Sequence, residues 1–282
     1  VLESTTGTEV RAFNAHSAVQ SEPIFVDGNV IFCDEGGYTF NYSTDGDQSV
    51  WEHFGGAPIT SQPKLIDGNV IVSSVDDSVY SLDATNGTVS WRYNHPPSLT
   101  RETELTLYGA PSAVSWQDSV IAGFSDGSIV SISSDSGEVE WQKVVGEGVY
   151  PDIIATPIVN GDNIYTGGFE GPFVALNPNS NTIRWSLDIG TASQPTYEDN
   201  VIFHGGSDGV LRKIDTITGQ VIWEWDADIE GSLTTPRITS AGIITSSTEE
   251  TIYLIDGSTG SEIWQYQTDL RLSGMSSPIS VG

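Results

Sequence analysis

Cysteine is close to absent: Cys33 stands alone among 282 residues, which excludes an intrachain disulfide and a cysteine-based zinc site. It lies in the strand-like run Val30-Ile31-Phe32-Cys33, where a buried structural thiol is expected. Basic residues are scarce as well. Lysine occurs only at Lys64, Lys143 and Lys213, and 10 Lys and Arg face 38 Asp and Glu, a formal net charge of −28. Nucleic acid is therefore not an expected partner, because phosphate binding needs a basic footprint that releases counterions. Anionic membrane surfaces are disfavoured on the same ground. No apolar run reaches the roughly 18 residues of a membrane-spanning helix, so no direct membrane insertion is expected. P-loop, Gly-x-Ser-x-Gly and His-Glu-x-x-His motifs are missing, and His16, His53, His95 and His204 have no second His or Cys at metal-ligand spacing. No secretion signal opens the chain, but Val1 is not a natural start, so an upstream segment of a longer parent is expected.

What is present in excess is acid, spread along the chain rather than gathered in a tail. Such a surface suits brine, where charge is screened over only about 3 Å at 1 M salt, and the composition is similar to that of proteins from halophilic archaea.

The sequence also repeats itself. In LDATNGTVSW (82–91) a Gly precedes a Trp by four positions, and the frame recurs in ISSDSGEVEW (132–141), LNPNSNTIRW (176–185), IDTITGQVIW (214–223) and IDGSTGSEIW (255–264). Weaker copies are LESTTGTEVR (2–11), with Arg11 in the Trp place, and STDGDQSVW ending at Trp51. An independent marker is a proline after small polar residues: Pro23, Pro63, Pro111, Pro157, Pro195, Pro236 and Pro278. From Pro23 to Trp51, Pro63 to Trp91, Pro157 to Trp185, Pro195 to Trp223 and Pro236 to Trp264 the distance is 28 residues, and from Pro111 to Trp141 it is 30.

Each unit reads as four short strands. β-Branched runs alternate with turn pairs such as Asp27-Gly28, Asp67-Gly68, Asp76-Asp77, Asp126-Gly127, Glu170-Gly171 and Asp208-Gly209, which tolerate positive φ. Asn181 replaces the Gly in one unit, and Asn is the next-best residue for a left-handed backbone. Proline confines the first strand to a sheet edge, plausible beside a central channel lined by the Ser, Thr, Ala and Gln before each proline. Trp51, Trp91, Trp141, Trp185, Trp223 and Trp264 are expected to fill the space between neighbouring sheets.

Seven four-stranded antiparallel units describe an all-β, seven-bladed β-propeller in a single domain over 1–282. The blades fall near 21–55, 59–94, 108–144, 154–188, 193–226 and 233–267, with a closing blade split between 274–282 and 1–15. The Thr-Gly or Ser-Gly turn before Trp resembles the PQQ-like propeller family over the whole chain. That family includes quinoprotein alcohol dehydrogenases and the propeller lipoproteins of bacterial outer-membrane assembly. The split blade is short by about 13 residues against its siblings. Two explanations stand: residues of a longer parent chain, or strand donation by a partner.

The resemblance implies a calcium-bound quinone in the dehydrogenases, which are about twice as long and have adjacent cysteines. With Cys33 alone and seven units, this chain is not expected to hold PQQ or to be an enzyme, whether quinoprotein-type or sialidase-like. Ca²⁺ is conceivable at acidic turns such as Asp45-Gly46-Asp47, but no spaced ligand set supports it. Binding is the remaining class, to a protein or a glycan, from an extracytoplasmic or surface position; a structural place in a surface or virion assembly is the alternative. Asn41-Tyr42-Ser43 and Asn86-Gly87-Thr88 are glycosylation sequons in keeping with such a location.

Two connections between units are longer than the rest, 92–110 and 142–156, and loops on a rigid scaffold carry recognition. The binding residues expected there are Arg101, Glu102, Tyr108, Tyr150 and Asp152, with Arg271 in the connection before the split blade. The charge reading predicts that thermal melting rises by many degrees between about 0.1 M and 2 M KCl. A flat response in differential scanning calorimetry overturns it.

Overall fold

The computed structural model describes residues 1–46, 48–97 and 107–268. These form six four-stranded sheets, spanning 24–54, 64–94, 114–144, 158–187, 196–226 and 237–267. In each sheet the strands lie in chain order, and every recorded pairing is antiparallel. The chain divides into two compact units. Of the described residues, one holds those within Val1–Pro96, Tyr108–Ala122 and Ile132–Glu140; the other holds Pro97, Leu107, Gly123–Ser131 and Trp141–Thr268.

The second strands carry apolar runs such as Asn29–Cys33 and Asn69–Ser74 and are the most buried. In the first unit Ile31, Cys33, Trp51, Val70, Val72, Tyr80 and Leu82 form one cluster between neighbouring sheets. Cys33 is a free, buried thiol, and burial pushes its pKa up to about 12. Three of the first-to-second turns have both central residues at positive φ: Asp27-Gly28 (47° and 78°), Asp67-Gly68 (49° and 78°) and Asp199-Asn200 (44° and 65°). This is the hairpin turn whose twist matches the strands.

The repeated Gly and Trp meet across sheets. Trp51 lies against Gly87, Trp91 against Gly137, Trp185 against Gly219 and Trp223 against Gly260; a Cβ on any of these glycines would come within 2.7–2.8 Å of the ring. The same glycines have φ of 71–74°, so absence of a side chain is required twice over. Each indole N–H then donates to a carbonyl of the same turn: Trp51 to Ala84 (2.9 Å), Trp91 to Ser134 (2.8 Å), Trp185 to Thr216 (2.9 Å) and Trp223 to Gly257 (3.3 Å).

Two further devices serve this clasp. A register shift in the third-to-fourth strand pairing leaves Val50, Ser90, Arg184, Ile222 and Ile263 unpaired, each just before its Trp, and such bulges re-aim a side chain. The turn itself is capped by an acidic residue. Asp256 Oδ1 accepts the Ser258 and Thr259 N–H groups at 2.9 and 2.8 Å, and bonds from the Ser258 hydroxyl and these amides hold its pKa down at about 2. Asp83 and Asp215 do the same in their turns and are likewise lowered, by bonds led by Thr85 and Thr218.

The N-terminal residues repeat this turn. Glu3 N–H donates to Thr8 O and Gly7 N–H to Glu3 O, both at 2.9 Å, matching Asp83 to Thr88 and Gly87 to Asp83. Gly7 has φ 68° with open space over it. Arg11, in the Trp place, donates to Gly46 O. At the other end Trp264 is 41% exposed, and its whole strand Glu262–Gln267 is exposed.

The small polar residues before the prolines have an internal role. The residue two before the proline is buried at Ser21, Ser61 and Thr234, and its hydroxyl is used by the second strand twelve residues on. Ser21 Oγ accepts Cys33 N–H (3.2 Å), Ser61 Oγ donates to Ser73 O (2.7 Å) and Thr234 Oγ1 accepts Ser246 N–H (3.0 Å). Proline blocks the ladder there, and the hydroxyl stands in for a backbone partner.

If the clasp carries this architecture, Gly87→Ala should cost about 3 kcal/mol in urea denaturation, from overpacking plus backbone strain. Gly68→Ala, at φ 78° with nothing within 4 Å, should cost only about 1 kcal/mol. Equal costs would remove the ring contact from the account.

Candidate functional site

Of the residues expected to bind, Arg101, Glu102 and Arg271 lie outside the described residues, as does Pro278 of the split blade. Tyr108, in the first unit, is 64% exposed. Partial burial and the neighbouring Glu35 carboxylate, which accepts its hydroxyl hydrogen bond, push its pKa up. Glu35 also accepts from Gln20 Nε2. A phenol fixed at its tip leaves the ring face open to solvent.

Tyr150 and Asp152 belong to the second unit, in the connector that follows Val144. Val145 and Gly146 N–H both donate to Gly127 O at 2.9 Å, and Glu147 N–H donates to Gly171 O at 2.8 Å. The Glu170 Oε2 then accepts the N–H of Val149 (2.6 Å) and of Tyr150 (3.2 Å). Gly148 permits this: its φ is 91°, and a Cβ would stand 2.0 Å from Glu170 Oε2. Asp152 is buried rather than presented. Its carboxylate accepts Leu107 N–H (3.0 Å) and its carbonyl accepts Phe169 N–H (2.9 Å), so it anchors the connector. The tip left outward is Val149, 59% exposed, beside the half-buried Tyr150.

Of the two carboxylates, Glu170 and Glu35, the sequence reading takes Glu170 only as a turn residue and does not single out Glu35. Each precedes a glycine in the turn between a second and a third strand. That position is the only signal, and it does not reveal what the carboxylate reaches.

The histidines are separate core or surface groups. His204 is fully buried with Nε2 3.1 Å from Thr191 Oγ1, and burial, then the Arg212 charge, takes its pKa down to about 3. Burial and Arg92 lower His53 as well. Among the described residues no group of three or more His, Cys, Asp or Glu is placed to hold a metal ion. The Asn41 sequon is no modification site, because Asn41 is buried and its Nδ2 donates to Ala84 O (3.2 Å).

The family described as outer membrane protein assembly factor BamB matches over residues 1–224 and again over 174–281. The chain belongs to that family. An outer membrane protein assembly factor BamB of Shewanella oneidensis is 24% identical over 255 residues, 88% of this chain and 63% of its own length. The chain spans between 50% and 63% of three such curated relatives. The crystal structure of BamB from Moraxella catarrhalis superposes with a TM-score of 0.79 at 17% identity, covering 93% of this chain and 81% of that one. Quinohemoprotein alcohol dehydrogenase from Comamonas testosteroni superposes with a TM-score of 0.63 at 16% identity, covering 74% of this chain and 43% of that one. These likenesses show the fold, an all-β repeat propeller of the BamB type.

The latch predicts that Glu170→Ala speeds amide exchange at Val149 and Tyr150 by more than tenfold while global melting barely moves, since the group is at the surface. Unchanged exchange would mean that the carboxylate does not hold the tip.

Proposed function

We propose that this chain is a non-catalytic, protein-binding propeller of seven repeat units that docks a polypeptide partner on its connector tips. The observation that carries this is the connector after Val144. An apolar tip, Val149-Tyr150, is held outward by two charge-assisted bonds from Glu170. A contact that is already ordered loses little freedom on binding, and tyrosine is enriched at interface centres. In the first unit an exposed tyrosine is also held by a carboxylate, there through its hydroxyl, Tyr108 donating to Glu35.

The seventh unit is inferred from the hairpin of Glu3 to Arg11, which makes the same backbone bonds as the turns of the described sheets. The net charge of −28 favours a partner face with basic side chains. The relatives are named as assembly factors rather than as enzymes, which supports the non-catalytic reading and an extracytoplasmic position in an envelope.

A photo-crosslinking amino acid placed at Val149, in cells producing the protein, should yield a discrete protein adduct. The same probe at Thr85, in a turn capped by Asp83, should not. Loss of the adduct on Glu170→Ala is expected. No adduct at 149, or equal labelling from 85, would overturn docking through this tip.

A further inference from the structure

One clasp in the second unit departs from the other four. Asn181 occupies the glycine place facing Trp141, with φ 51°. Its side chain cannot offer the flat approach that Gly87, Gly137, Gly219 and Gly260 give their rings. The consequence is visible in the hydrogen bonds. The Trp141 Nε1 is buried with no partner and so is the Asn181 Oδ1, while Asn181 Nδ2 donates to Gln142 O at 3.2 Å. Where Trp51, Trp91, Trp185 and Trp223 all deliver their N–H to the next turn, this contact leaves a donor and an acceptor unmet in one interface, which weakens it against its siblings.

The connector that carries Val149 and Tyr150 crosses the same interface. It is tied on the Trp141 side through Gly127 O, which receives Val145 and Gly146, and through Phe124 O, which receives Ile153. On the Asn181 side it is tied through Gly171 O, through the Glu170 carboxylate and through Phe169 N–H. These anchors lie at the end of the third strand opposite to the Asn181 hairpin, Phe173 beside them pairing with Leu187 and Asn177 with Thr182. The two sheets are thus held at one end by the connector and at the other by the Trp141–Asn181 contact, and a separation that runs their length pulls on both.

We infer that the Trp141–Asn181 contact is a conformational joint, an interface that opens more readily than its clasped siblings, and that its opening releases the Val149-Tyr150 tip. By linkage, a partner that holds the tip in its latched form closes the joint. That last step rests on the tip being the docking element; the joint itself does not.

Hydrogen exchange on the full chain tests both without a partner. Amides of 142–144 and 182–187 should exchange at least tenfold faster than those of 91–94, whose Trp91 is clasped. Asn181→Gly, which installs the residue used by the other clasps, should slow 142–144, 182–187 and the amides of Val149 and Tyr150 together. It should also raise the melting temperature. The converse change, Gly137→Asn opposite Trp91, should bring fast exchange to 91–94. Equal rates in the wild type, or no slowing by Asn181→Gly, would overturn the joint. Slowing of the strands with the tip amides unchanged would overturn the coupling while leaving docking through Val149 to the crosslinking result.

Discussion

A tryptophan ring pressed onto a glycine of the next sheet is the contact on which the other regularities of this chain depend. Two demands fall on that one glycine: its φ near 70° is costly for residues with a side chain, and its face must accept the ring at a distance where no Cβ fits. The bulge before each Trp turns the ring toward that face, and the acidic cap fixes the turn that presents the glycine. The indole N–H, which would otherwise be buried unmet, is received by the same turn. Ten residues thus encode a sheet-to-sheet joint. A chain built by repeating them has mostly nearest-neighbour energetics, as in other repeat proteins.

Much of this was legible in advance because it lives in residue types with few alternatives. Gly four before Trp, Asp-Gly in the first turn and Pro at the edge strand are each dictated by backbone geometry, so their spacing exposed six sheets and the N-terminal hairpin. The bulges were not legible, since Val50 and Ile222 read as ordinary strand residues until the pairing shows them skipped. Nor was the use of Ser21 and Ser61 as internal acceptors and donors. A polar residue before a proline reads as solvent-facing unless the second strand is known to pass twelve residues later.

The candidate site was half legible for a related reason. Connector length singled out the segment after Val144, and Tyr150 sits beside its exposed Val149. Asp152, two residues on, faces inward to hold Leu107, and sequence gives no means of telling the two orientations apart. The carboxylates of Glu35 and Glu170 reach residues distant in sequence, Tyr108 and Val149, so they too were hidden. They alter the meaning of the acidic composition. Asp83, Asp215 and Asp256 cap turns, Asp34 receives the His16 and Ser17 amides, and Glu170 latches a connector. Part of the acidic excess is therefore architecture, bonded to backbone N–H groups, and only the remainder is solvated surface.

A shared fold with a quinohemoprotein dehydrogenase carries the sheets and their packing, and at 16% identity it carries no chemistry. What separates one repeat propeller from another lies where the repeat is broken. In the second unit two departures coincide: the long connector after Val144, and the asparagine that costs Trp141 its hydrogen bond. Either alone is a tolerable variation of a scaffold. Together they put an interface with an unmet donor and acceptor between the same two sheets that the connector of the exposed Val149 bridges, so in this reading the stability of the joint and the order of the tip are set by the same few residues.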